Sequence, residues 1–482
     1  MLHYKHGFDI FPVKVYTLIM NHFETWNPTT EEKINTYTYM SEREIVRKIE
    51  KLNSAFDVWK IMSIDQRLRW LESYKNNLKN SIPELAAIIT ETMGKPLVEA
   101  KLEIEKCITQ FDYYINKGPE LIKEHVIAAH YTDTRVNFVP MGIVFSIMPW
   151  NYPAWQFFRF AVGAWLAGNV ILFKHSEITT EVGLYLEKLV EKTQGPTLLQ
   201  TIIMNSQNSE VVFSHPSVRA VTFTGSSKVG RAIGELCGKY LKKSVLELGG
   251  NDSFVVDISA GIGKAAKLAV SGRLLNNGQS CIASKRFFVP RGKETDFMNS
   301  VQMELKSYVV GSPLDKKSNL GPLAHKRFLD DYKQHVQFLK SISSQQTEAI
   351  SIVTEKGYFV SPHFFLLGKG MKDKESESYC FFQTQEVFSP VGMVTAYDND
   401  EHLWSLVNDS PYGLGAVWVG DAEKFKKEKL HLKFNVGMIA VNDILKSDAR
   451  VPFGGAKDSG YGRESGEFGI REFCTTQSLG IK

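Results

Sequence analysis

Asn276-Asn277-Gly278-Gln279-Ser280-Cys281 places a thiol directly after a polar turn that contains glycine. A cysteine so placed can be exposed, with its own backbone N–H directed into a cleft, which is what a thiolate nucleophile and its oxyanion need. Taken alone, a single cysteine is more often a small buried residue. Val245-Leu246-Glu247-Leu248-Gly249-Gly250 sets a carboxylate among apolar neighbours ahead of two glycines. Burial there raises its pKa and suits a general base for water. A strand-end glutamate in a structural ion pair would read the same way. Pro149-Trp150-Asn151-Tyr152-Pro153 holds an amide between two prolines at the end of an apolar run. Rigid loops of that kind carry functional groups in α/β enzymes, and a turn stabilised by Asn is the alternative. Phe223-Thr224-Gly225-Ser226-Ser227-Lys228-Val229-Gly230 reads as strand, glycine turn and helix start, where N–H donors and the helix dipole suit a pyrophosphate. It is not a GxGxxG motif, and Arg231 and Ala232 stand where a P-loop needs Lys and Ser or Thr. The run Gly460-Tyr461-Gly462-Arg463-Glu464-Ser465-Gly466 has one residue too many for GxGxxG and reads as a turn.

Positioning these groups takes α/β architecture. Short apolar strands at Ile143 to Met148, Asn169 to Phe173, Leu199 to Met204, Arg219 to Thr224 and Ser244 to Leu248 alternate with helical stretches. This pattern predicts a parallel sheet covered on both faces. A second α/β series follows Gly250, with helices over 264–275 and 294–309 around a strand over 286–289. Upstream, Ser41 with Glu44 and Ser63 with Gln66 predict capping boxes. Ser81 with Glu84, around the helix-starting Pro83, predicts a third helix that Gly94 closes. Residues Val126 to Val139 read as a projecting hairpin suited to a subunit contact.

The length of 482 residues asks for two large domains. A composition 43% hydrophobic and 23% charged is that of a globular chain, not a disordered one. A net charge of +4, without a basic run, argues against a nucleic-acid partner. Five widely spaced cysteines with no CxxC pair argue against a disulfide framework or a zinc site and for a reducing, cytoplasmic setting. No apolar run is long enough for a membrane span, so no membrane partner is expected. The first 19 residues read as a frayed extension, with Met20 as a second candidate start.

PWNYP (149–153), Lys174 with Glu177, FTGSSKVG (223–230), LELGG (246–250), NNGQSC (276–281), QEVFSP (385–390) and PFGGAKDSGYGRESG (452–466) occur in this order. Together they resemble the aldehyde dehydrogenase superfamily, from about Met20 to the C-terminus. The resemblance implies a Rossmann-type cofactor domain over 20–121 and 141–249, a catalytic α/β domain over 250–465, and an oligomerisation element over 122–140 and 466–482. It also implies a homodimer or homotetramer. Cys281 would attack the aldehyde, Asn151 and the Cys281 N–H would hold the oxyanion, and Glu247 would activate the water that hydrolyses the thioester. Ile147, Pro149, Trp150, Lys174, Glu177, Gly225, Ser226, Val229, Leu248, Glu386 and Phe388 would bind the dinucleotide. Glu177, facing a 2'-hydroxyl, would favour NAD over NADP. WNPTTEEKI (26–34), LKKSVLELGG (241–250), LGPLA (320–324) and SDAR (447–450) are similar to the NAD-dependent succinate-semialdehyde branch. On that resemblance Arg159 would bind the substrate carboxylate, with Arg450 assisting where Leu275 replaces a second arginine of some of those enzymes. Arg159 in an interdomain ion pair is the alternative. Dehydrogenation of another small aldehyde, CoA acylation and ester hydrolysis are the competing activities on such a scaffold. The presence of Glu247 weighs against CoA acylation, and the cofactor motifs weigh against a plain esterase.

Overall fold

The computed structural model describes residues 21–482, apart from 355, 369, 370 and 372. The expectation for the first 19 residues and Met20 lies outside the described residues. Two parallel sheets, each with one antiparallel edge strand, dominate the fold. The first has six strands in the order Gly460–Tyr461, Lys243–Glu247, Val218–Thr224, Ile143–Met148, Val170–His175 and Leu199–Thr201. Only Gly460–Tyr461 runs antiparallel. The second has seven, in the order Ser343–Gln346, His363–Leu367, Val391–Tyr397, Arg286–Pro290, Ser253–Val256, Gly415–Val419 and Met438–Val441. The near-continuous apolar strands of both are buried, as parallel strands covered by helices on both faces must be.

The expected strands and helices form, with ends shifted by a few residues. Leu199–Thr201 is shorter than foreseen, and the helices close at Leu274 and Leu305. Both bonds of the Ser41–Glu44 and Ser63–Gln66 capping boxes are made. Ser81 departs from expectation. Its hydroxyl donates back to the Leu78 carbonyl at 2.8 Å, because its N–H still belongs to the preceding helix, and Glu84 accepts instead from the Tyr185 hydroxyl at 2.6 Å. Gly94 ends the helix Ile82–Met93 at φ 74°, and a Cβ there would stand 2.6 Å from Pro322 Cγ. The hairpin strand Asp133–Pro140 pairs with His125–Val126 and, along its whole length, with the C-terminal strand Cys474–Ile481. A second hairpin, His22–Asn27 with Glu32–Thr38, is largely exposed and polar, so apolar alternation gave it no signal.

The helix Trp155–Ala167 is buried at every residue and carries the segment after Asn151 through the core. It begins against Glu103, on the helix Leu97–Leu121. Glu103 Oε1 accepts the Ala154 and Trp155 N–H groups at 2.9 Å each, and its other oxygen pairs with Lys95. One buried carboxylate therefore satisfies two orphan N–H donors of a helix start and a buried ammonium. Glu103→Ala leaves that ammonium buried and unpaired, so it should destabilise the protein by about 3–5 kcal/mol. The check is the urea midpoint against the wild type.

Candidate active site

The helix Ile262–Leu274 ends in a turn that few residues tolerate. Asn276, Asn277 and Gly278 take φ of 56°, 57° and 75°, a left-handed run that Asn and Gly adopt most readily. Side-chain amides hold it. Asn277 Nδ2 donates to the Gly94 and Pro322 carbonyls at 3.1 and 3.0 Å, while its Oδ1 accepts the Gly321 N–H at 2.7 Å. Asn276 Nδ2 donates to the Asn151 carbonyl at 2.7 Å, tying the two loops together. Beneath the turn the buried Arg273 donates to the Ala283, Ser284, Gly278 and Ser389 carbonyls.

Cys281 emerges where two cavities meet, since it lines both. The larger, of about 720 Å³, lies over the carboxyl end of the six-stranded sheet. Ile147, Pro149, Trp150, Asn151, Lys174, Gly225, Ser226, Val229, Leu248, Glu386 and Phe388 all line it. Trp150 packs tilted against Phe328 at 4.5 Å and meets Phe388 edge-on, giving an aromatic wall. Ser226 caps the helix Ser227–Lys239, whose first turn opens on this cleft. Thr224 Oγ1, in the cleft wall, is buried without a partner. Open backbone at Gly225, a helix N-terminus, an ammonium at Lys174 and an aromatic wall are the donor set a dinucleotide needs. Glu177 lies beside the cleft rather than in its wall. It is exposed, lines a small recess with Lys174, and accepts from the Tyr39 hydroxyl at 2.7 Å.

The smaller cavity, of about 200 Å³, runs from Cys281 between the helices Leu97–Leu121 and Trp155–Ala167. Gln156 lines both cavities and donates to Asn151 Oδ1 at 3.1 Å. That bond fixes the amide, so Asn151 Nδ2 faces the catalytic turn and donates to the Gln279 carbonyl at 3.0 Å with a second N–H to spare. Among the described residues the Cys281 N–H has no acceptor. Asn151 and Cys281 both line the larger cavity, so each offers it a free N–H, the kind of donor an oxyanion needs.

Arg159 lines the smaller cavity too, yet it is engaged from behind. Its Nε pairs with the buried Glu464, its guanidinium lies 3.8 Å over the Phe453 ring, and its Nη2 is buried without a partner. The ion pair and the cavity position are thus both realised. Arg450 is not brought to the site. It is exposed in a pair with Asp448 at 2.6 Å and lines neither cavity. Leu275 does line the smaller one.

Glu247 ends its strand as expected, but its carboxylate lines neither cavity. Both oxygens are buried without a hydrogen-bond partner, one of them 2.7 Å from where a Cβ on Gly454 would stand. Burial, and then the neighbouring Glu464, hold its pKa well above the carboxylate range against the pull of Arg159 and Arg463.

Two groups of this site were not singled out in the sequence. Gln156 carries no signal beyond its place one turn after Asn151. Lys285 is fully buried and donates to the Cys281 carbonyl at 2.6 Å and the Ser280 carbonyl at 3.2 Å, with Glu386 4.0 Å away. Glu386 in turn accepts the Gly250 N–H at 3.0 Å, so cleft wall and thiol loop share one buried chain of bonds. Among the described residues no cluster suited to a metal ion occurs, and no helix is long and apolar enough to cross a membrane.

A dinucleotide-sized cleft that meets a narrow second cavity at a thiol is the arrangement of an oxidoreductase. The sequence profile of the aldehyde dehydrogenase family matches residues 18–479, and the chain belongs to that family. It is an NAD(P)-dependent aldehyde dehydrogenase with that family's fold. Among curated relatives, the succinate-semialdehyde dehydrogenase [NADP(+)] of Mycobacterium leprae (strain TN) is 33% identical over 464 residues, covering 95% of this chain and 99% of that one. A probable succinate-semialdehyde dehydrogenase [NADP(+)] of Synechocystis sp. is 32% identical over 459 residues, covering 95% and 99%. Among solved structures, the succinic semialdehyde dehydrogenase of Streptococcus pyogenes in complex with NADP+ superposes with a TM-score of 0.89 at 27% identity, covering 95% of this chain and 99% of that one.

Burial pushes the Cys281 thiol up to about 12, with Arg159 and Lys285 only partly offsetting it. The free enzyme therefore holds a neutral thiol near pH 7, and the thiolate fraction rises with pH. Inactivation by iodoacetamide should accelerate about tenfold per pH unit from 7 to 10 without a plateau. A plateau below pH 9 would mean that the thiol is already activated in the free enzyme.

Proposed function

We propose that this enzyme oxidises succinate semialdehyde to succinate through a thioester on Cys281, with NAD as the preferred acceptor. The carrying observation is Arg159 in the wall of the cavity that ends at Cys281, with only its Nε engaged by Glu464. At about 200 Å³ that cavity is smaller than the roughly 300–1,000 Å³ of common ligand pockets, which favours a short aldehyde. A far carboxylate accepting from the guanidinium engages N–H donors that the Arg159–Glu464 pair leaves bare. The curated relatives named for this substrate, at 32–33% identity, support the same reading.

In this reading Cys281 gives its proton to water in the cleft as its sulfur attacks the aldehyde carbon and the carbonyl π pair moves onto oxygen. The new alkoxide accepts from Asn151 Nδ2 and the Cys281 N–H. Gln156 keeps the Asn151 amide in the donating orientation, and Lys285 holds the backbone that carries both the thiol and the N–H. When bound, the dinucleotide supplies the hydride acceptor. Once the adduct has become a thioester, the base must reach a water beside Cys281. Glu247 does this by turning away from Glu464 toward the cleft that its neighbours Leu248 and Gly249 already line. There it regains solvent, ionises and takes the water proton. Beside Glu464 its pKa is held well above the carboxylate range, so the same side chain has a resting and a working position. The exposed apolar residues of the hairpin sheet, Val126, Ile127, Leu479 and Ile481, are the proposed subunit contact of a dimer or tetramer.

Succinate semialdehyde should exceed butanal in kcat/KM by roughly ten- to a hundredfold, the scale of one charge-assisted bond. Arg159→Ala should shrink that ratio, chiefly through KM for the semialdehyde. Because Glu464 then loses its partner beside Glu247, kcat falls for both aldehydes, and the ratio alone reports the carboxylate contact. Equal wild-type rates with the two aldehydes would dismiss the substrate.

A carboxylate at Glu177 accepts from a 2'-hydroxyl and repels a 2'-phosphate, so kcat/KM with NAD should exceed that with NADP. Glu177→Gln should move the ratio toward NADP by roughly two- to fivefold, the scale of an exposed charge contact. Since the curated relatives are named for NADP+, a wild-type preference for NADP would reverse the cofactor assignment.

A further inference from the structure

The smaller cavity is lined by four cations and two carboxylates, and most of that charge is already spoken for. Lys95 pairs with Glu103, deep in the protein. Arg159 is offset by Glu464. Lys446 pairs with Asp443 at 2.7 Å. Glu99 accepts the Asn276 N–H at 3.1 Å and is pushed up by burial to about 7. Lys106 is left. It is half-buried on the helix Leu97–Leu121, with its ammonium 4.3 Å from the centre of the Trp155 ring. Among the described residues it has no carboxylate within 4.0 Å and no hydrogen-bond acceptor for Nζ. Nor is Nζ sealed away without a partner, so it opens on the cavity. An ammonium partly stripped of water beside an aromatic face, with no counter-ion, is a receptor for an anion that arrives with the substrate.

We propose that Lys106 binds the distal carboxylate of the substrate and makes this cavity select a short ω-carboxylated aldehyde over an uncharged one. Arg159, neutralised by Glu464, supplies a directed N–H, and Lys106 supplies the net charge. This rests on the succinate-semialdehyde reading above, and it locates the charge selectivity on a helix that bears none of the residues of the thiol chemistry.

The charges facing Lys106 set its pH response. Glu103, on its own helix, and Asp448, from the loop between the last strand of the seven-stranded sheet and Phe453, favour its protonation. Arg159, from the helix Trp155–Ala167, opposes it, and burial, the largest influence, brings it down to about 8. The ammonium is therefore present below pH 8 and lost above. The substrate carboxylate stays ionised throughout. Glu99 gains a negative charge as pH rises through 7, which lowers affinity for an anion in wild type and variants alike.

The experiment measures kcat/KM for succinate semialdehyde and for butanal, with the cofactor saturating, from pH 6.5 to 9.5. It compares wild type, Lys106→Met and Lys106→Arg. The wild-type ratio should fall through an inflection near pH 8. Lys106→Met should lose roughly ten- to a hundredfold of the ratio at pH 7, through KM for the semialdehyde, keep its rate with butanal, and show no inflection near 8. Lys106→Arg should restore much of the ratio and move the inflection upward, because a guanidinium does not titrate in this range. A wild-type preference that survives in Lys106→Met overturns the role of Lys106 while leaving the substrate reading intact. A wild-type ratio near one removes the substrate reading and this inference with it. Equal loss with both aldehydes in Lys106→Met, unrepaired by Lys106→Arg, makes Lys106 a packing residue and overturns the proposal. The wild-type pH profile tests it without any substitution.

Discussion

Glu103 is the carboxylate on which both walls of the aldehyde cavity hang. It closes the start of the helix Trp155–Ala167 by accepting two backbone N–H groups, and it neutralises Lys95 in the same buried spot. The helix it caps begins four residues after Asn151 and presents Gln156 and Arg159 to the cavity. The helix it belongs to presents Glu99 and Lys106. Fixing the two helices at this point fixes how far Arg159 and Lys106 stand from Asn151 and Cys281, which on the proposed reading sets the length of the aldehyde. A buried carboxylate would be a liability elsewhere. Here its three partners occupy its lone pairs and balance its charge.

The same economy of charge runs through the thiol region. Arg159 and Glu464, Lys285 and Glu386, and Asp252 beside Lys285 form a dry set of opposite charges around Cys281. Asp252 is raised to about 7 by burial, with Lys285 acting against the rise. Low polarisability strengthens each attraction and penalises every unpaired charge. The set therefore favours the neutral forms of the Cys281 thiol and the Glu247 carboxyl.

The thiol loop also rests on a turn of unusual backbone. Three consecutive left-handed residues, Asn276, Asn277 and Gly278, are held by amide bonds to Gly94, Pro322, Gly321 and Asn151. Strain of this kind persists only where the surroundings over-determine it. The outcome is that the Cys281 N–H is left without an acceptor at the point where the two cavities join. Gly278 could carry no side chain, since a Cβ would stand 2.5 Å from the Pro390 nitrogen.

Local signals carried much of this in the sequence itself. Apolar runs between glycine turns marked the parallel strands, because strands buried on both faces have no polar side to show. Capping boxes marked two helix starts to the residue, since a cap is a bond across three positions. PWNYP, NNGQSC and LELGG marked the loops and the strand end that carry Asn151, Cys281 and Glu247, because the turn residues and the reactive residue are neighbours in the chain. The cleft residues Lys174, Glu386 and Phe388 were legible only by resemblance, and all three stand in the cleft wall. The tertiary structure alone decided where charged side chains point. Arg159 meets Glu464 across 305 positions, Tyr39 reaches Glu177 across 138, and Arg450 folds back on Asp448 at the surface. Glu247 faces Glu464 rather than the thiol, Lys285 grips the Cys281 carbonyl, and Lys106 is left without a counter-ion. Ion pairing between distant segments leaves no periodicity in the sequence. A lysine on a helix looks the same there whether it faces water, a carboxylate or a cavity, and only the packing of the second helix against the first distinguishes them.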